Sequence, residues 1–172
     1  GMTDICFVGR LAKDTGIMIY LEALKILKDE GKNFRLVVCG GGQGGQEEQD
    51  IKEYCRKHVL WVKFLGFVKN PGDYVGRSNF VFASQYLSIL EALMAKKSVF
   101  ATYNGQLKED YLKMTPFARW VVIEKDALAL AKKISYFAIR PEKNKELVEE
   151  GFKWARQLNW EKLVNQDLSL WE

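Results

Sequence analysis

Short apolar runs alternate along this chain with segments in which apolar residues recur every three or four positions. The runs cover Asp4–Gly9, Arg35–Gly40, Val62–Gly66, Phe80–Ala83, Ser98–Thr102 and Arg119–Ile123. Most of them are continuously apolar, which is typical of strands that are covered on both faces. The pattern therefore predicts about six buried strands.

The segments between the runs carry the periodicity of helices. In the first of them, apolar side chains stand at Ile17, Tyr20, Leu21, Leu24 and Leu27. Thr15 is expected to cap the start of this helix and Gly31 its end. Further helices are predicted near Gln46–His58, Pro71–Gly76, Ser88–Lys97, Gln106–Lys113 and Ala127–Phe137, then one opened by Pro141, and a last one that is capped by Asn159 and contains Trp160 and Trp171.

Alternation of strands and helices predicts parallel pairing with right-handed crossovers. The expected fold class is therefore α/β, a doubly wound, Rossmann-like parallel sheet of about six strands with helices on both faces. Such sheets bind their ligands at the carboxyl ends of the strands. Functional residues are therefore expected in the loops that follow the strands.

The composition sets limits on function. The 172 residues are 48% hydrophobic and 28% charged, which fits one globular domain. The net charge of +4 suits an anionic ligand and does not require nucleic acid. No apolar stretch reaches about 18 residues, so no membrane span is predicted. The three cysteines match no zinc spacing, so we expect them to be reduced and the protein to be cytoplasmic.

The segment Gly40–Gly45 matches the pattern G-x-G-x-x-G between a strand and a helix, as a dinucleotide site does. It follows the second strand rather than the first, and the run Val62–Gly66 ends without the acidic residue that binds a ribose. A dinucleotide-dependent enzyme is therefore the weakest of the functions considered. The sequence also contains no Asp-x-Asp motif, the usual means of holding a metal against a nucleotide diphosphate.

Two other loops carry candidate chemistry. Gly9 and Arg10 follow the first strand, where a glycine admits a ligand closely and an arginine can bind phosphate oxygens. A solvated loop arginine is the alternative. After the fourth strand, a helix that opens near Ser88 presents amides to an anion. Ser88 and Glu91 also match a capping box, in which Glu91 serves only its own helix.

The chain contains, in order, Phe7–Leu11 with Gly16, Leu36–Gly42, Phe64–Val68, Leu90–Ala95, Val99–Thr102, Glu109 and Trp160–Lys162. Together these segments resemble the donor half of group 1 (family 4) nucleotide-sugar glycosyltransferases of the GT-B fold. The ordered series, rather than any one segment, is specific. The resemblance implies that residues 1–172 form a single donor-binding domain without the acceptor-binding half.

The resemblance also assigns roles to residues. The donor diphosphate would contact Gly9, Arg10, Thr15 and the backbone amides of Leu87, Ser88 and Ile89. Glu91 would bind the donor ribose, and Gly66, Phe67 and Val68 would line the base. Arg10 and Glu91 are the implied catalytic residues.

The activity implied by the resemblance is retaining, metal-independent transfer from a nucleotide-diphosphate sugar. That sugar is a substrate, so no cofactor is implied. The implied protein partner is an acceptor-binding domain, either in the parent chain or in a separate subunit.

The chain departs from the family pattern at three positions. Thr15 stands where the family usually has a lysine, Ala83 where it has a first glutamate, and Lys96 where it has a glycine. A left-handed Lys96 would cost about 1 kcal/mol relative to glycine. The two lost site residues favour a second function, that of a non-catalytic relative that binds a nucleotide or a partner.

Overall fold

The computed structural model describes the backbone of residues 2–170 and the side chains of residues 2–158. The strands in this part of the chain are β1 (Thr3–Val8), β2 (Phe34–Cys39), β3 (Val62–Phe64), β4 (Phe80–Phe82), β5 (Ser98–Thr102) and β6 (Val121–Glu124). The α-helices in the same part are α1 (Ile17–Asp29), α2 (Gln46–Lys57), α3 (Gly72–Arg77), α4 (Tyr86–Met94), α5 (Gln106–Met114), α6 (Ala127–Ala138) and α7 (Pro141–Leu170). Short 3-10 helices at Lys13–Thr15 and Pro116–Trp120 precede α1 and β6.

The described strands form one parallel sheet in the order β3-β2-β1-β4-β5-β6. The chain winds from β1 outward to β3 and then returns to the other side of β1, where Phe7 pairs with Phe82 of β4. The predicted fold class is thus confirmed. The winding direction reverses between β1 and β4, and doubly wound sheets bind ligands at such a reversal.

Alternate residues of the central strands pack into opposite helical layers. Ile5 and Phe7 of β1 pack with residues of α1 and α6, whereas Cys6 packs on the other face with residues of α4 and α7. Because both faces are covered at its centre, β1 is continuously apolar from Ile5 to Val8. No helix in the described part of the chain is long and apolar enough to cross a membrane.

Helix α1 ends where the sequence predicts but begins differently. Gly31 follows its last turn with φ of +79°, the left-handed conformation expected of a glycine at this position. Gly16, rather than Thr15, occupies the N-cap position. The Thr15 hydroxyl donates to the Ala12 carbonyl at 2.7 Å, inside the preceding 3-10 helix. The predicted Thr15 cap is therefore wrong, because the chain makes a separate turn before the helix.

Helix α4 begins two residues earlier than predicted. Its first residue is Tyr86, and Gln85 occupies the N-cap position with an extended backbone. Ser88 therefore lies inside the first turn, where it cannot act as the N-cap of a box with Glu91. The predicted capping box is wrong, and the helix starts without that local restraint.

Helix α7 runs without a break from Pro141 to Leu170, so the predicted separate helix capped by Asn159 is wrong. Asparagine inside a helix costs less than about 0.7 kcal/mol relative to alanine, which is too little to end a helix by itself. Pro141 opens α7, as predicted. Trp171 and the side chains of Trp160–Lys162 lie outside the described residues.

The link between α4 and β5 contains a residue with left-handed backbone conformation. Lys96 has φ of +57°, the left-handed conformation that costs a lysine about 1 kcal/mol relative to glycine. Its amide donates to the Leu93 carbonyl at 3.1 Å and closes the end of α4. Its ammonium lies 4.6 Å from the ring centroid of Phe152 on α7, a cation–π contact that offsets part of the strain.

We expect Lys96→Gly to be more stable than Lys96→Ala by about 1 kcal/mol. Both variants lose the contact between the ammonium and the ring, and only alanine keeps a Cβ in the left-handed region. Urea denaturation of the two variants measures the difference. Equal stabilities would contradict the presence of backbone strain at this position.

Candidate functional site

The loops after β1, β2 and β3 are joined by backbone contacts at the carboxyl edge of the sheet. The Leu11 amide donates to the Gly41 carbonyl at 3.2 Å, and the Gly40 amide donates to the Gly66 carbonyl at 2.9 Å. A Cβ on Gly40 would lie only 1.5 Å from the carbonyl oxygen of Gly9. The backbones therefore touch, and the contact requires a glycine at position 40.

The loop after β1 presents Arg10 to solvent. The Arg10 side chain is 67% exposed, and its Nη2 atom lies 2.8 Å from Oδ2 of Asp14. Thr15, which the resemblance places at the diphosphate, is buried, and its hydroxyl contacts the carbonyls of Ala12 and Arg10. Thr15 thus supports the shape of the loop, and Arg10 carries an exposed positive charge.

Helix α4 begins at the end of β4, the strand that pairs with β1. The amides of Leu87 and Ser88 belong to its first turn, where N–H groups have no acceptor inside the helix. The Ile89 amide instead donates to the Gln85 carbonyl at 2.9 Å, and the Ile89 side chain is fully buried. Of the three amides indicated by the resemblance, Leu87 and Ser88 are therefore the ones left for an anion.

The remaining predicted site residues lie further along α4 and in the loop after β3. Glu91 is exposed one turn further along α4. At the end of β3, Phe67 is 88% exposed, while Val68 packs partly into the core. Ala83 is fully buried, and its amide donates to the Phe100 carbonyl at 3.3 Å. The sheet therefore encloses the position at which the family has its first glutamate.

A buried hydroxyl network fixes the segment just before α4. The Tyr20 hydroxyl lies 2.7 Å from the Ser84 hydroxyl and donates to the Phe100 carbonyl at 2.8 Å. The Thr102 amide donates to the same Ser84 oxygen at 3.4 Å. Burial raises the pKa of Tyr20, although hydrogen bonds from Ser84 and Thr102 act against the rise. The neutral phenol thus joins α1, β4 and β5 beside the proposed site.

The glycine-rich loop after β2 is already bound by an acidic side chain. A cleft of about 360 Å³ lies between this loop and Arg10. The Glu48 carboxylate accepts a hydrogen bond from the Gly44 amide at 2.8 Å and lies 3.1 Å from the Lys52 ammonium. These two hydrogen bonds, with the Lys52 bond the larger cause, hold the pKa of Glu48 below its ordinary value. An anionic Glu48 thus occupies the loop that the dinucleotide pattern would offer to phosphates.

The cysteines and the histidine do not add a further centre. Cys6, Cys39 and Cys55 are buried and free, as expected from the sequence. Burial raises the pKa of Cys55 to about 11. His58 ends α2, as predicted, with its ring 4.4 Å from that of Tyr54. Among the described side chains, no group of three His, Cys, Asp or Glu residues could hold a metal ion.

Sequence reasoning missed three side chains at this edge. Asp14 pairs with Arg10, the charge of Asp14 opposes the fall that burial causes in the pKa of Lys108, and the backbone of Tyr86 opposes the rise that burial causes in the pKa of Tyr111. The spacing of Arg10 and Asp14 could have indicated an ion pair, since residues four apart meet on a helical turn. The other two interactions join distant parts of the chain and leave no local signal.

The sheet and its edge define a Rossmann-like α/β domain. Residues 2–154 match the family described as glycosyl transferases group 1. The chain therefore belongs to this family, and the resemblance seen in its sequence is confirmed. No curated protein sequence matches the chain.

Solved glycosyltransferases share the fold. One from Rickettsia africae ESF-5 has a TM-score of 0.77 and 20% identity, covering 98% of this chain and 47% of that one. The C-terminal domain of a group 1 family glycosyl transferase (LpcC) from Francisella tularensis has a TM-score of 0.74 and 17% identity, covering 90% and 85%. A mutant of TarM from S. aureus, solved with fondaparinux, alpha-GlcNAc-glycerol and UDP, has a TM-score of 0.70 and 17% identity, covering 88% and 31%. The chain thus spans about half the length of the Rickettsia protein.

We expect Gly40→Ala to destabilise the protein by about 2 kcal/mol or more, because its Cβ would overlap the Gly9 carbonyl oxygen and shift two loops. Gly76→Ala is the matched control. Gly76 lies inside α3, and its added Cβ would meet no described atom within 4 Å. Urea denaturation should show no loss of stability for the control. A Gly40→Ala variant as stable as wild type would contradict the close contact.

Proposed function

We propose that this chain is the donor-binding domain of a retaining, metal-independent glycosyltransferase, and that its substrate is a nucleotide-diphosphate sugar. One observation carries the proposal. β1 and β4 pair directly, an exposed Arg10 follows the first, and the first-turn amides of Leu87 and Ser88 follow the second. Arginine side chains and helix N-termini both bind phosphate oxygens. Neighbouring strands lie about 5 Å apart, a separation that suits the two phosphates of a diphosphate.

The charge distribution at the two helix starts supports this location. The first turn of α2 contains Glu47 and Glu48, whereas that of α4 contains no acidic residue. Of these two helices, α4 is therefore the one whose positive end is left for a ligand anion. The UDP solved with TarM supports a nucleoside diphosphate as the ligand class.

Each site residue then has a chemical role. As the bond between the sugar and the diphosphate breaks, negative charge develops on the departing nucleoside diphosphate. Arg10 and the amides of Leu87 and Ser88 would stabilise that charge, and a fixed donor of this kind contributes about 3–4 kcal/mol. Glu91 would accept hydrogen bonds from the ribose hydroxyls, and the exposed Phe67 would lie against the base.

The acceptor would be bound by a further α/β domain at the same edge of the sheet. Apolar side chains are exposed in the segments that follow three strands there: Phe67 is 88% exposed, Leu87 64% and Leu107 86%. Exposed apolar groups that cluster around a site mark an interaction surface. The Rickettsia glycosyltransferase, of which this chain covers 47%, has room for such a second domain.

A non-catalytic relative that binds a nucleotide or a partner is the second candidate function. The buried Ala83 favours it, since no side chain at this position reaches a sugar. The Thr15 hydroxyl favours it as well, because it already donates to the Ala12 carbonyl and is not left for a phosphate. Transfer measured with the acceptor-binding partner present separates the two candidates, because both bind nucleotide and only the enzyme turns donor over.

We expect the protein to bind UDP, GDP or ADP more tightly than NAD, because its cation and amides suit a terminal diphosphate and its glycine-rich loop is bound by Glu48. Isothermal titration calorimetry with each ligand measures the order. Preference for NAD, or no diphosphate binding at millimolar ligand, would overturn the donor site.

We expect Arg10→Ala to weaken diphosphate binding about ten- to hundredfold, the range for a hydrogen bond to a charged group. Arg56→Ala is the control, since Arg56 pairs with Glu53 on the surface of α2. Calorimetric dissociation constants of both variants are compared with wild type. An unchanged constant for Arg10→Ala would remove this residue from the site.

A further inference from the structure

Strand β3 forms one edge of the described sheet, so no described strand pairs with its outer side. On its inner side, the Leu65 amide donates to the Val38 carbonyl of β2 at 3.0 Å. Alternate residues of a parallel strand bond to the same neighbour, so Val62 and Phe64 direct their backbone groups outward. The Val62 amide donates to the Leu60 carbonyl at 3.0 Å. The Val62 carbonyl and both backbone groups of Phe64 are therefore left for another strand.

One face of this edge opens into a cleft of about 840 Å³ below α2, named here the α2 cleft. The side chains of Val62 and Phe64 lie on this face, where they pack partly against the core. The charged residues that line the cleft carry two charges of each sign: Asp50, Lys52, Glu53 and Arg56. Because these charges balance over an apolar floor, the α2 cleft suits apolar side chains.

The opposite face of the edge opens into a second cleft of about 720 Å³, named here the α3 cleft. It contains Trp61 and Lys63, which alternate with Val62 and Phe64 along the strand. Helix α3 has six residues and is therefore about 9 Å long, whereas the six residues of β2 span about 20 Å. The short helix thus leaves the sheet uncovered beside β3.

Positive charge predominates in the α3 cleft. Its lining contains three cations and one carboxylate, that of Asp4. Arg35 already binds this carboxylate with two hydrogen bonds, at 2.6 and 2.9 Å. The Arg77 guanidinium lies 6.0 Å from the ring centroid of Tyr74, and among the described residues neither Lys63 nor Arg77 pairs with a carboxylate. Two cations are therefore left for an acidic partner.

The loop before β3 is fixed although the strand has no outer partner. The Lys28 ammonium of α1 donates to the carbonyls of His58 and Val59 at 2.9 and 2.7 Å. Val59 has φ of +53°, a strained conformation for a β-branched residue, and its exposed side chain lines both clefts. Because Lys28 holds this turn, an incoming segment need not order the edge, which lowers the entropic cost of binding.

We propose that β3 accepts an extended segment of another protein as an additional strand, with apolar side chains in the α2 cleft and acidic side chains in the α3 cleft. An added strand directs alternate side chains to opposite faces, so apolar and acidic residues would alternate along the segment. Backbone hydrogen bonds to Val62 and Phe64 would supply affinity, and the two clefts would select the sequence. The residues that line the two clefts include none of the proposed donor residues.

A second copy of this chain does not fit the same edge. Residues 59–70 contain no acidic residue, so pairing of two β3 strands would place Lys63 among the cations of its copy. Like charges on neighbouring strands are destabilising, and a lysine on an edge strand hinders pairing between copies. The charge of the edge therefore favours an acidic partner of a different sequence.

The test uses fluorescence anisotropy with labelled peptides of about ten residues. One peptide alternates valine and glutamate, a second has the same residues as a valine block and a glutamate block, and a third alternates valine and lysine. We expect the first to bind about tenfold more tightly than the others, because only it matches both clefts. It should also slow hydrogen exchange of the Phe64 amide about tenfold or more. Equal binding of the block peptide, no binding of the first at millimolar concentration, or unchanged exchange at Phe64 would overturn the proposal.

Substitutions test the charges of the α3 cleft. Lys63→Gln and Arg77→Gln should each weaken the alternating acidic peptide about threefold, and together about tenfold, with a smaller effect at higher salt. Lys133→Gln, which removes an exposed charge from α6, is the control and should leave binding unchanged. Urea denaturation should show wild-type stability for all of them, because these side chains are exposed. Unchanged peptide binding by the double variant would overturn the proposal. Dimers formed through β3, or anionic lipid vesicles bound through Lys63 in place of the peptide, would overturn it as well.

Discussion

The contact between the backbones of Gly9 and Gly40 is the constraint on which the carboxyl edge of this sheet depends. A single added Cβ at position 40 would lie 1.5 Å from a carbonyl oxygen, so the loops after β1 and β2 can meet only without side chains between them. The hydrogen bonds of Leu11 and Gly66 then fix both loops. Because β1 also pairs with β4, the same contact sets the position of Arg10 relative to the start of α4.

Electrostatic pairing distinguishes the starts of α2 and α4 at this edge. At α2, Glu48 accepts the Gly44 amide and neutralises the positive end of its own helix. At α4, the first turn is free of acidic residues, and Asp14, on the loop after β1, pairs with Arg10. The start of α4 therefore has no carboxylate in its first turn, while the glycine-rich pattern after β2 marks a packing contact.

The elements of the fold could be predicted well, because burial on both faces makes each strand a continuous apolar run. The predicted strand boundaries lie within two residues of the observed ones. Helix starts were predicted less well. Thr15 and Ser88 have the residue types of N-caps, yet the chain turns once more before α1 and enters α4 early. Capping contributes only about 1 kcal/mol, so packing of the adjoining strand ends decides where a helix begins.

By itself, the sequence determined the order of strands and helices, the parallel sheet and the family, and it indicated the two loops to which the proposed function assigns the donor diphosphate. These features depend on local periodicity and on residues close together in the chain. Only the tertiary structure decided that Ala83 is enclosed by the sheet, where its amide reaches the Phe100 carbonyl, and that the Tyr20 hydroxyl meets the Ser84 hydroxyl. Such contacts join segments that are far apart in the chain, and their energies depend on burial and distance, which no local pattern records.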